Sequence, residues 1–162
     1  MLQRVSETEL AYLAGILDGE GTFTVYKTTA AYSALIAVAS TSRELIDWLV
    51  VRFGGSISET PAPAGNRSAS WQWQLREKAY IVALLPTVIP FLLIKRLHAQ
   101  LFLKYCLEIQ YSRRGRRISS EDAELRNAYC TIFADLNAVG KEASAKKAKV
   151  VQLLNSGGIT LP

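Results

Sequence analysis

The sequence predicts an α+β fold, and three observations support this prediction. A capped amphipathic helix is predicted at residues 7–20. Two pairs of segments in which polar and apolar residues alternate follow, within residues 22–38 and 56–76, and helical spacing comes after each pair. From residue 93 onwards the apolar spacing is again helical. The predicted elements therefore combine helices with two pairs of strands.

The first helix is predicted from its cap and its periodicity. Ser6 as N-cap and Glu9 three residues later make a capping box. The core stripe consists of Leu10, Leu13, Ala14 and Leu17. Ala11, Gly15 and Gly19 lie four residues apart on a neighbouring face. Because a glycine costs about 1 kcal/mol in a helix interior, we expect this small-residue face to pack closely against another helix.

The first strand pair is predicted on the two sides of a turn near residues 29–31. In the first strand, Phe23 and Val25 are expected to face the core. The residues on its other face are Thr22, Thr24, Tyr26 and Thr28. In the second strand, Ser33 is expected to point outward. The inward residues of that strand are Tyr32, Ala34, Ile36 and Val38.

A second helix and a second strand pair follow in the same order. The helix begins at residues 41–44 and ends at Gly54-Gly55; along it lie Leu45, Trp48, Leu49 and Arg52. Residues 56–60 predict a third strand, and residues 61–66 predict a loop by their proline and glycine content. Residues 68–76 show the clearest alternation in the sequence. Its predicted core residues are Trp71, Trp73 and Leu75, and its exposed residues are Ser70, Gln72, Gln74 and Arg76.

The remainder of the chain is predicted to be helical. A helix from Glu77 to about Leu85 is expected to be broken by Pro86 and Pro90. Further helices are predicted at residues 93–111, 120–137 and 144–154, with a linker at 113–117. We assign residues 1–155 to one domain and residues 156–162 to a frayed tail.

Basic residues form two separated blocks. The chain carries a net charge of +5 and has a pI of about 9.3. Residues 1–60 contain 4 basic and 7 acidic side chains, whereas residues 95–117 contain 7 and 1, and residues 141–149 contain 4 and 1. This distribution indicates a polyanion as partner. Charge alone favours nucleic acid only slightly over an ordinary solvated surface.

Several classes of protein are disfavoured. No apolar run reaches the ~18 residues that a membrane span requires, and the early helix leaves no signal peptide. We therefore expect an intracellular protein, in the cytoplasm, nucleoid or an organelle, that is not secreted and has no membrane partner. Cys106 and Cys130 are expected to be free thiols in a reducing compartment. No Cys/His spacing indicates zinc, and no small-molecule cofactor is expected.

Glu20 is unusual because it stands at the expected end of the first helix, before Gly21. An acid there faces the negative end of the helix dipole and loses about 0.3–1 kcal/mol. A bound cation would reverse that sign, and two such carboxylates brought together by a symmetric helix pair would suit Mg²⁺. A surface acid beside a turn glycine explains the residue equally well.

Residues 13–21, Leu-Ala-Gly-Ile-Leu-Asp-Gly-Glu-Gly, resemble the signature motif of the LAGLIDADG homing endonucleases. Gly19 replaces the second alanine of the motif and Glu20 its second acid. The predicted elements also fit the α-β-β-α-β-β-α order of that family over most of the chain. The resemblance implies an α+β LAGLIDADG fold with an antiparallel four-stranded DNA-binding sheet and additional C-terminal helices.

The single copy of the motif carries a further implication. By resemblance, members with one motif pair as homodimers, and the motif helices form the interface. The interface residues implied here are Ala11, Tyr12, Gly15, Asp18 and Gly19. Asp18, the first motif acid, is expected to be structural and to satisfy backbone donors at the helix ends of the dimer.

The resemblance also implies catalytic and metal-binding residues. Glu20 and the backbone carbonyl of Gly19 are expected to hold Mg²⁺, or Mn²⁺ in its place. Lys95, in the segment Pro90–Lys95, corresponds to a catalytic lysine; a plain phosphate contact is an equal alternative. Ser40 takes the place of a longer polar residue that positions water after the second strand.

One departure from the family lies on the second helix. Glu44 aligns with a residue that is basic in the family, so the basic surroundings of the site are incomplete. The neighbouring Arg43 is a candidate to compensate.

The polar strand faces are candidates for contacts with double-stranded DNA. Gln72 and Gln74 are predicted adenine readers, and Arg67 and Arg76 guanine or phosphate readers. Weaker candidates are Thr24, Tyr26, Thr28, Ser33, Ser56, Ser58, Thr60 and Ser70. Predicted phosphate contacts are Arg113, Arg114, Arg116, Arg117, Lys141, Lys146 and Lys147. Without the resemblance, a solvated sheet face would be the favoured interpretation.

The resemblance as a whole implies a homodimeric, Mg²⁺-dependent endonuclease that takes part in intron homing. Such an enzyme makes double-strand breaks at a long pseudo-palindromic DNA site and leaves short 3′ overhangs. A catalytically reduced relative that acts as an RNA maturase or DNA-binding regulator is the first alternative. An α/β protein without nucleic-acid affinity is the second.

Overall fold

The computed structural model describes residues 5–29, 31–60, 69–109 and 118–156. The helices are α1 (Glu7–Glu20), α2 (Arg43–Phe53), α3 (Lys78–Val88), α4 (Arg96–Glu108), α5 (Ser120–Leu136) and α6 (Ala143–Asn155). The strands are β1 (Gly21–Lys27), β2 (Tyr32–Ser40), β3 (Ser56–Thr60) and β4 (Ser70–Leu75). The predicted α-β-β-α-β-β-α order and the additional C-terminal helices are confirmed.

The four strands form one antiparallel sheet in the order β1-β2-β4-β3. In the pairing of β2 with β4, Ile36 lies opposite Leu75 and Val38 opposite Trp73. In the pairing of β3 with β4, the register places Ser58 opposite Gln72. Since opposite residues of an antiparallel pair share a face, β4 carries the apolar row of the core on one side and a polar row on the other.

The chain forms two compact units. The first comprises Met1–Thr22 with Leu35–Arg96, and the second Phe23–Ala34 with Leu97–Pro162. The core of the first includes Leu13, Leu17, Ile46, Leu49, Phe53, Trp73 and Leu85, all at most 2% exposed. In the second, Phe102 meets Phe23 and Phe133 in edge-to-face contacts at centroid distances of 5.8 and 5.7 Å. The assignment of residues 1–155 to one domain stays a prediction.

Helix α1 has the predicted cap and the predicted faces. The Ser6 hydroxyl accepts from the Glu9 backbone N–H, and the Glu9 carboxylate accepts from the Ser6 backbone N–H. Glu9 also accepts from Arg52 at 2.7 Å, which ties α1 to α2. Leu13, Ala14 and Leu17 are buried, and Leu10 is half-buried. The small residues Ala11, Gly15 and Gly19 lie exposed on the neighbouring face.

The prediction that Pro86 ends the third helix is wrong. Helix α3 continues through Pro86 to Val88, and Pro90 stands in a 3₁₀ turn at Ile89–Phe91. The proline removes one backbone hydrogen bond near the end of the helix. Burial of Leu84, Leu85 and Val88 holds the last turn against the core and offsets that loss.

The bounds of the following helix were also mispredicted. Helix α4 begins at Arg96 instead of Leu93; residues 93–95 form a bend, and their backbone N–H groups bond to a side chain of α1, described below. It ends at Glu108, and Ile109 is already outside it. Helices α5 and α6 lie within one residue of their predicted bounds, and Ser119 caps α5 as one of two predicted candidates.

Two strand predictions need correction. Trp71 was expected in the core together with Trp73 and Leu75, but it is only half-buried, with the guanidinium of Arg43 over its ring at 5.9 Å. In β2, burial is not confined to one face, because Leu35 and Ala37 are buried as well as Ala34, Ile36 and Val38. Strand β2 lies between β1 and β4 in the sheet, so residues on both of its faces are screened by neighbours. Ser33, expected to point outward, is half-buried.

Both cysteines of the chain are free thiols, as predicted. Cys106 is buried and Cys130 half-buried, and neither forms a disulfide. Burial raises the pKa of the Cys130 thiol above its ordinary value, although the nearby Lys27 acts in the opposite direction. Of the helices that the structure describes, none has the length and apolar character needed to cross a bilayer.

Gly55, between α2 and β3, is expected to tolerate no side chain. Its φ is +89°, and a Cβ would lie 2.5 Å from the Gln74 carbonyl oxygen and 2.9 Å from Nε1 of Trp73. Gly55→Ala should therefore lower the free energy of unfolding by roughly 2–4 kcal/mol. Gly140→Ala is the matched control, because its φ is +86° but nothing lies within 4 Å of the added carbon. That variant should lose roughly 1 kcal/mol.

Urea unfolding of both glycine variants measures this difference. Equal losses in the two variants would show that the contact with Gln74 and Trp73 relaxes, and would contradict the prediction.

Candidate active site and nucleic-acid interface

Asp18 organises the segment that precedes α4. Its carboxylate accepts the backbone N–H groups of Leu93 at 2.8 Å, Ile94 at 3.2 Å and Lys95 at 2.8 Å. Asp18 thus satisfies backbone donors, as predicted, but the donors belong to residues 93–95 of its own chain. The carboxylate holds the bend before α4 and fixes the backbone of Lys95 beside the end of α1.

The ionisation of Asp18 follows from this geometry. Partial burial opposes the charged form, but the three backbone hydrogen bonds together outweigh it, and the charge of Lys95 adds to their effect. The pKa of Asp18 is therefore below its ordinary value. The carboxylate is ionised at neutral pH and supplies a fixed negative charge next to Lys95.

Asp18→Ala is expected to lower the free energy of unfolding by roughly 2 kcal/mol, because three backbone donors lose their acceptor. Asp18→Asn keeps one acceptor oxygen and should lose less. The lowered pKa means that the carboxylate stabilises the fold fully above about pH 4 and loses this effect as the pH falls through the folded-state pKa.

Thermal unfolding of the wild type and both variants between pH 2 and 7 measures how the stability contributed by the Asp18 carboxylate depends on pH. The difference between wild type and Asp18→Asn should shrink towards pH 2. A difference that is independent of pH would contradict the assignment.

The Lys95 side chain contacts the C-terminal end of α1. Its Nζ donates to the Gly21 carbonyl at 2.6 Å and to the Gly19 carbonyl at 3.4 Å. A Cβ at Gly21 would lie 2.6 Å from Cα of Leu17, so only glycine permits this tight exit from the helix into β1. Since α1 ends here, these carbonyls lie at the negative end of its dipole. The oxygen predicted to bind a metal thus already attracts a cation, the Lys95 ammonium.

Glu20 and Ser40 line the same open depression of about 370 Å³. Its other lining residues are Ala39, Thr41 and Ser70. Glu20 is exposed at the last position of α1, and Ser40 is half-buried at the end of β2, where its hydroxyl accepts from the Ser42 backbone N–H at 3.0 Å. The structure therefore brings together two residues that lie 20 positions apart in the sequence.

The oxygen donors at this end of α1 are of the kind that suits a hard divalent cation. A carboxylate and a backbone carbonyl are oxygen ligands of the kind that Mg²⁺ takes. Within the described residues, no group of three or more His, Cys, Asp or Glu side chains converges. One chain thus offers oxygen donors of the right chemistry from Glu20 and Gly19, but too few for a complete site.

Helix α2 does not present a cluster of basic side chains beside the site, because Glu44 is acidic and Arg43 is paired with an acid. Arg43 bonds to Asp47 through Nε at 2.8 Å and lies over the Trp71 ring. Glu44 is exposed and lines a separate depression with Tyr12, Ser42, Leu45 and Trp48. Compensation of Glu44 by Arg43 stays a prediction, and it requires the guanidinium to act while it is paired with Asp47.

The polar face of β4 carries a row of three bonded side chains. Arg76 donates to the Gln74 amide oxygen through Nη2 at 3.0 Å and Nε at 3.3 Å. Gln74 in turn donates through Nε2 to the Gln72 amide oxygen at 2.6 Å. The predicted readers Gln72, Gln74 and Arg76 thus form one connected group, which we call the β4 polar row.

The remaining predicted DNA contacts are distributed over both units. In the first unit, Ser56, Ser58 and Thr60 are exposed on β3, and Ser70 is half-buried on β4. In the second unit, Thr24, Tyr26 and Ser33 are half-buried. The Thr28 hydroxyl closes the turn after β1, since it donates to the Ala31 carbonyl at 2.8 Å and accepts from the Ala31 N–H at 2.9 Å. It is therefore engaged within the chain.

The predicted phosphate contacts are described only in part. Lys141, Lys146 and Lys147 are exposed at the start of α6, and Lys146 pairs with Glu142 at 3.6 Å. Five of the arginines predicted to contact DNA lie outside the described residues: Arg67, Arg113, Arg114, Arg116 and Arg117. The basic character of α6 agrees with a solvated, cation-rich face.

Comparisons with known proteins bear on the fold. No family model and no curated protein matches the chain. Among solved structures, the homing endonuclease I-CvuI in complex with its target is 16% identical with a TM-score of 0.57, over 95% of this chain and 97% of that one. The archaeal intron-encoded homing endonuclease I-Vdi141I complexed with DNA is 13% identical with a TM-score of 0.64, over 90% and 96%.

A third structure differs in length. The LAGLIDADG meganuclease I-AabMI bound to uncleaved DNA is 16% identical with a TM-score of 0.58, and the match covers 90% of this chain but only 49% of that one. These likenesses confirm the fold that the sequence motif implied.

Proposed function

We propose that this chain, which has the LAGLIDADG homing endonuclease fold, is a site-specific, metal-dependent DNA endonuclease that acts as a homodimer. The observation that carries the proposal is the convergence at the end of α1. Glu20 faces a depression with Ser40, and the Lys95 ammonium lies on the carbonyl of Gly21, the residue after Glu20. An acid that can bind a metal, a hydroxyl that can position water and a cation that can stabilise a phosphate are together suited to phosphodiester hydrolysis.

The metal would be held by Glu20 and the carbonyl of Gly19, with the same residues of a second chain completing the set. When bound, Mg²⁺ supplies an activated water and stabilises the charge of the attacked phosphate. Ser40 lies at the edge of the depression and would position a water through its hydroxyl. These assignments rest on geometry and on oxygen chemistry, and they follow the motif residue by residue.

Lys95 would act on the phosphate or on the attacking water. Its backbone is fixed by Asp18, and its ammonium is within bonding distance of two carbonyl oxygens. The ammonium shares the Gly19 carbonyl with the proposed metal site, so Lys95 would place a second positive charge beside the attacked phosphate.

The dimer is supported by the exposed small-residue face of α1 and by the comparisons. Ala11, Gly15 and Gly19 are exposed on the described chain, and a Cβ at Gly15 would meet nothing within 4 Å. The match also covers only 49% of the LAGLIDADG meganuclease I-AabMI, so this chain corresponds to about half of that one. Two copies packed through this face would bring their Glu20 residues to the same end of the interface.

Double-stranded DNA is the proposed partner because the neighbouring structures I-CvuI and I-Vdi141I are DNA complexes. The polar face of the sheet would lie in the major groove, where each base pair shows a distinct set of donors and acceptors. The lysines of α6 and the basic segment near residue 115 would contact phosphates and make binding strongly salt-dependent.

A binding-only function is the second candidate, favoured by one observation. Glu44 on α2 places a negative charge where the family carries a basic residue, and Arg43 is paired with Asp47. A protein of this kind would bind nucleic acid as an RNA maturase or DNA-binding regulator without cleaving it.

Incubation of the purified protein with a randomised duplex library tests the proposal. Parallel reactions contain Mg²⁺ and Ca²⁺. Discrete cutting at one long site in Mg²⁺ supports the endonuclease. Salt-sensitive binding without cutting in either metal supports the binding-only function, and no binding at low salt overturns both.

A further inference from the structure

The β4 polar row has a fixed direction of hydrogen bonding. Arg76 can only donate, because a guanidinium has five N–H donors and no acceptor. Gln74 must therefore present its amide oxygen to Arg76, which leaves its NH₂ group to donate to Gln72. Gln72 must in turn present its oxygen to Gln74. The orientation of both amides is thus set by the residue at one end of the row.

At the other end of the row, the side-chain amide of Gln72 is then left to act as a hydrogen-bond donor. With its oxygen accepting from Gln74 at 2.6 Å, Gln72 presents its NH₂ group outward, and among the described residues no acceptor for that group is found. A glutamine without such a neighbour could present either end of its amide to a base.

The surroundings of the row leave room for bases. The register places Ala37 and Ala39 of β2 opposite Gln74 and Gln72. On the other side, Ser56 and Ser58 of β3 lie opposite the same two glutamines. The glutamines are thus flanked on both sides by small side chains that reach no further than a hydroxyl. Gln72 and Gln74 are the longest side chains of this part of the face and would contact the floor of a groove first.

We propose that Arg76 determines base preference at a distance, by fixing the amide of Gln72 as a donor towards a base edge that offers acceptors. Guanine, with N7 and O6, is the richest such edge in the major groove. The inference rests on the proposed function, because it requires the sheet face to meet duplex DNA. On this proposal Gln72 uses only its NH₂ group and binds base edges that present hydrogen-bond acceptors, instead of binding adenine through both ends of its amide.

The distance between Arg76 and Gln72 separates an effect transmitted through the amides from a direct contact of Arg76 with a base. Arg76 directly follows β4 and is four residues from Gln72, or roughly 13 Å at strand rise, which corresponds to roughly four base pairs along a duplex. Replacing Arg76 should change the preference at its own base pair and also at the base pair under Gln72.

Arg76→Glu gives the sharpest test. A carboxylate only accepts, so Gln74 would turn its NH₂ group to residue 76, and Gln72 would turn its oxygen outward. Selection from a randomised duplex library in Ca²⁺ should then replace guanine by cytosine or adenine, which present donors, at a position about four base pairs from that of residue 76. The guanine enrichment of the wild type at that position should be roughly tenfold or more.

Three control variants accompany it. Arg76→Lys keeps a donor and should keep guanine at the distant position, whereas Arg76→Met should relax that position to no preference. Lys141→Glu makes the same charge change as Arg76→Glu at a predicted phosphate contact, so it should weaken binding without changing any base preference.

The direction of the amides can also be followed without DNA. In the free protein, the side-chain amide NMR signals of Gln72 should shift in Arg76→Glu and stay close to wild type in Arg76→Lys. Unchanged Gln72 signals in Arg76→Glu would overturn the proposal.

The outcomes separate the two levels of inference. If the wild type selects a site and Arg76→Glu leaves the distant position unchanged, the proposal for Arg76 is overturned and the proposed function stands. If the wild type selects no sequence, the proposed function fails, and base reading by Gln72 fails with it.

Discussion

Glu20→Gln is expected to lower the rate of DNA cleavage by roughly a thousandfold or more while leaving DNA affinity within a few-fold of wild type. The substitution keeps the size of the side chain and removes its charge. A metal that stabilises the transition state by several kcal/mol is lost when its carboxylate ligand is neutralised. Binding should persist because the sheet face and the basic residues that are proposed to contact DNA are unchanged.

Cleavage and binding of the selected duplex, measured on the same preparation, separate the two effects. Glu7→Gln is the matched control, because Glu7 is also an exposed acid of α1 but stands at its other end. That variant should cleave at the wild-type rate. Cleavage by Glu20→Gln at a rate close to wild type would rule out Glu20 as a metal ligand.

Gly15→Leu is expected to make the chain monomeric, where we propose a homodimer for the wild type, and to abolish the proposed cleavage of both strands. Within one chain the substitution meets no obstacle, since an added Cβ finds nothing within 4 Å, and the loss of a helical glycine should favour the helix by up to about 1 kcal/mol. Across a closely packed helix pair, the leucine would separate the two backbones. The fold should therefore survive while the assembly is lost.

Sedimentation and thermal unfolding together test this prediction. The wild type should sediment at twice the chain mass of 17.9 kDa and the variant at the chain mass. The unfolding temperature of the variant should be at least that of the wild-type chain at concentrations low enough to dissociate the dimer. Ala128→Leu, which adds a leucine to an exposed position of α5, is the control and should remain a dimer. A dimeric Gly15→Leu would show that the interface lies elsewhere.

Helix and strand positions were predictable where local chemistry determines them. The capping box at Ser6 and Glu9 fixed the start of α1, and strict alternation placed Trp73 and Leu75 in the core. The bounds of helices were mispredicted where contacts with residues distant in the sequence determine the local structure. The bend at residues 93–95 before α4 bonds through its backbone N–H groups to Asp18, more than 70 residues away in the sequence. The continuation of α3 through Pro86 depends on burial of Leu84, Leu85 and Val88.

The sequence predicted residues for the candidate site, whose roles stay predictions, but it did not predict the contacts that connect them. The motif identified Glu20, and the segment before α4 identified Lys95. Their proximity depends on Asp18 and on the tight exit at Gly21, and periodicity does not contain that information. The β4 polar row was likewise predicted as three separate readers. A signal was present in the spacing, since Gln72, Gln74 and Arg76 alternate on one strand face, within reach of one another.

Mapping the cut positions on both strands of the selected duplex, with Mg²⁺ present, tests the central claim most directly. A homodimer with one Glu20 in each subunit should cut each strand once, at two positions related by the two-fold axis of the target, and leave a short 3′ overhang. Omission of Mg²⁺ should abolish both cuts together. Nicks scattered over unrelated sequences, or intact duplex under conditions of saturated binding, would contradict the claim that this chain is a site-specific endonuclease.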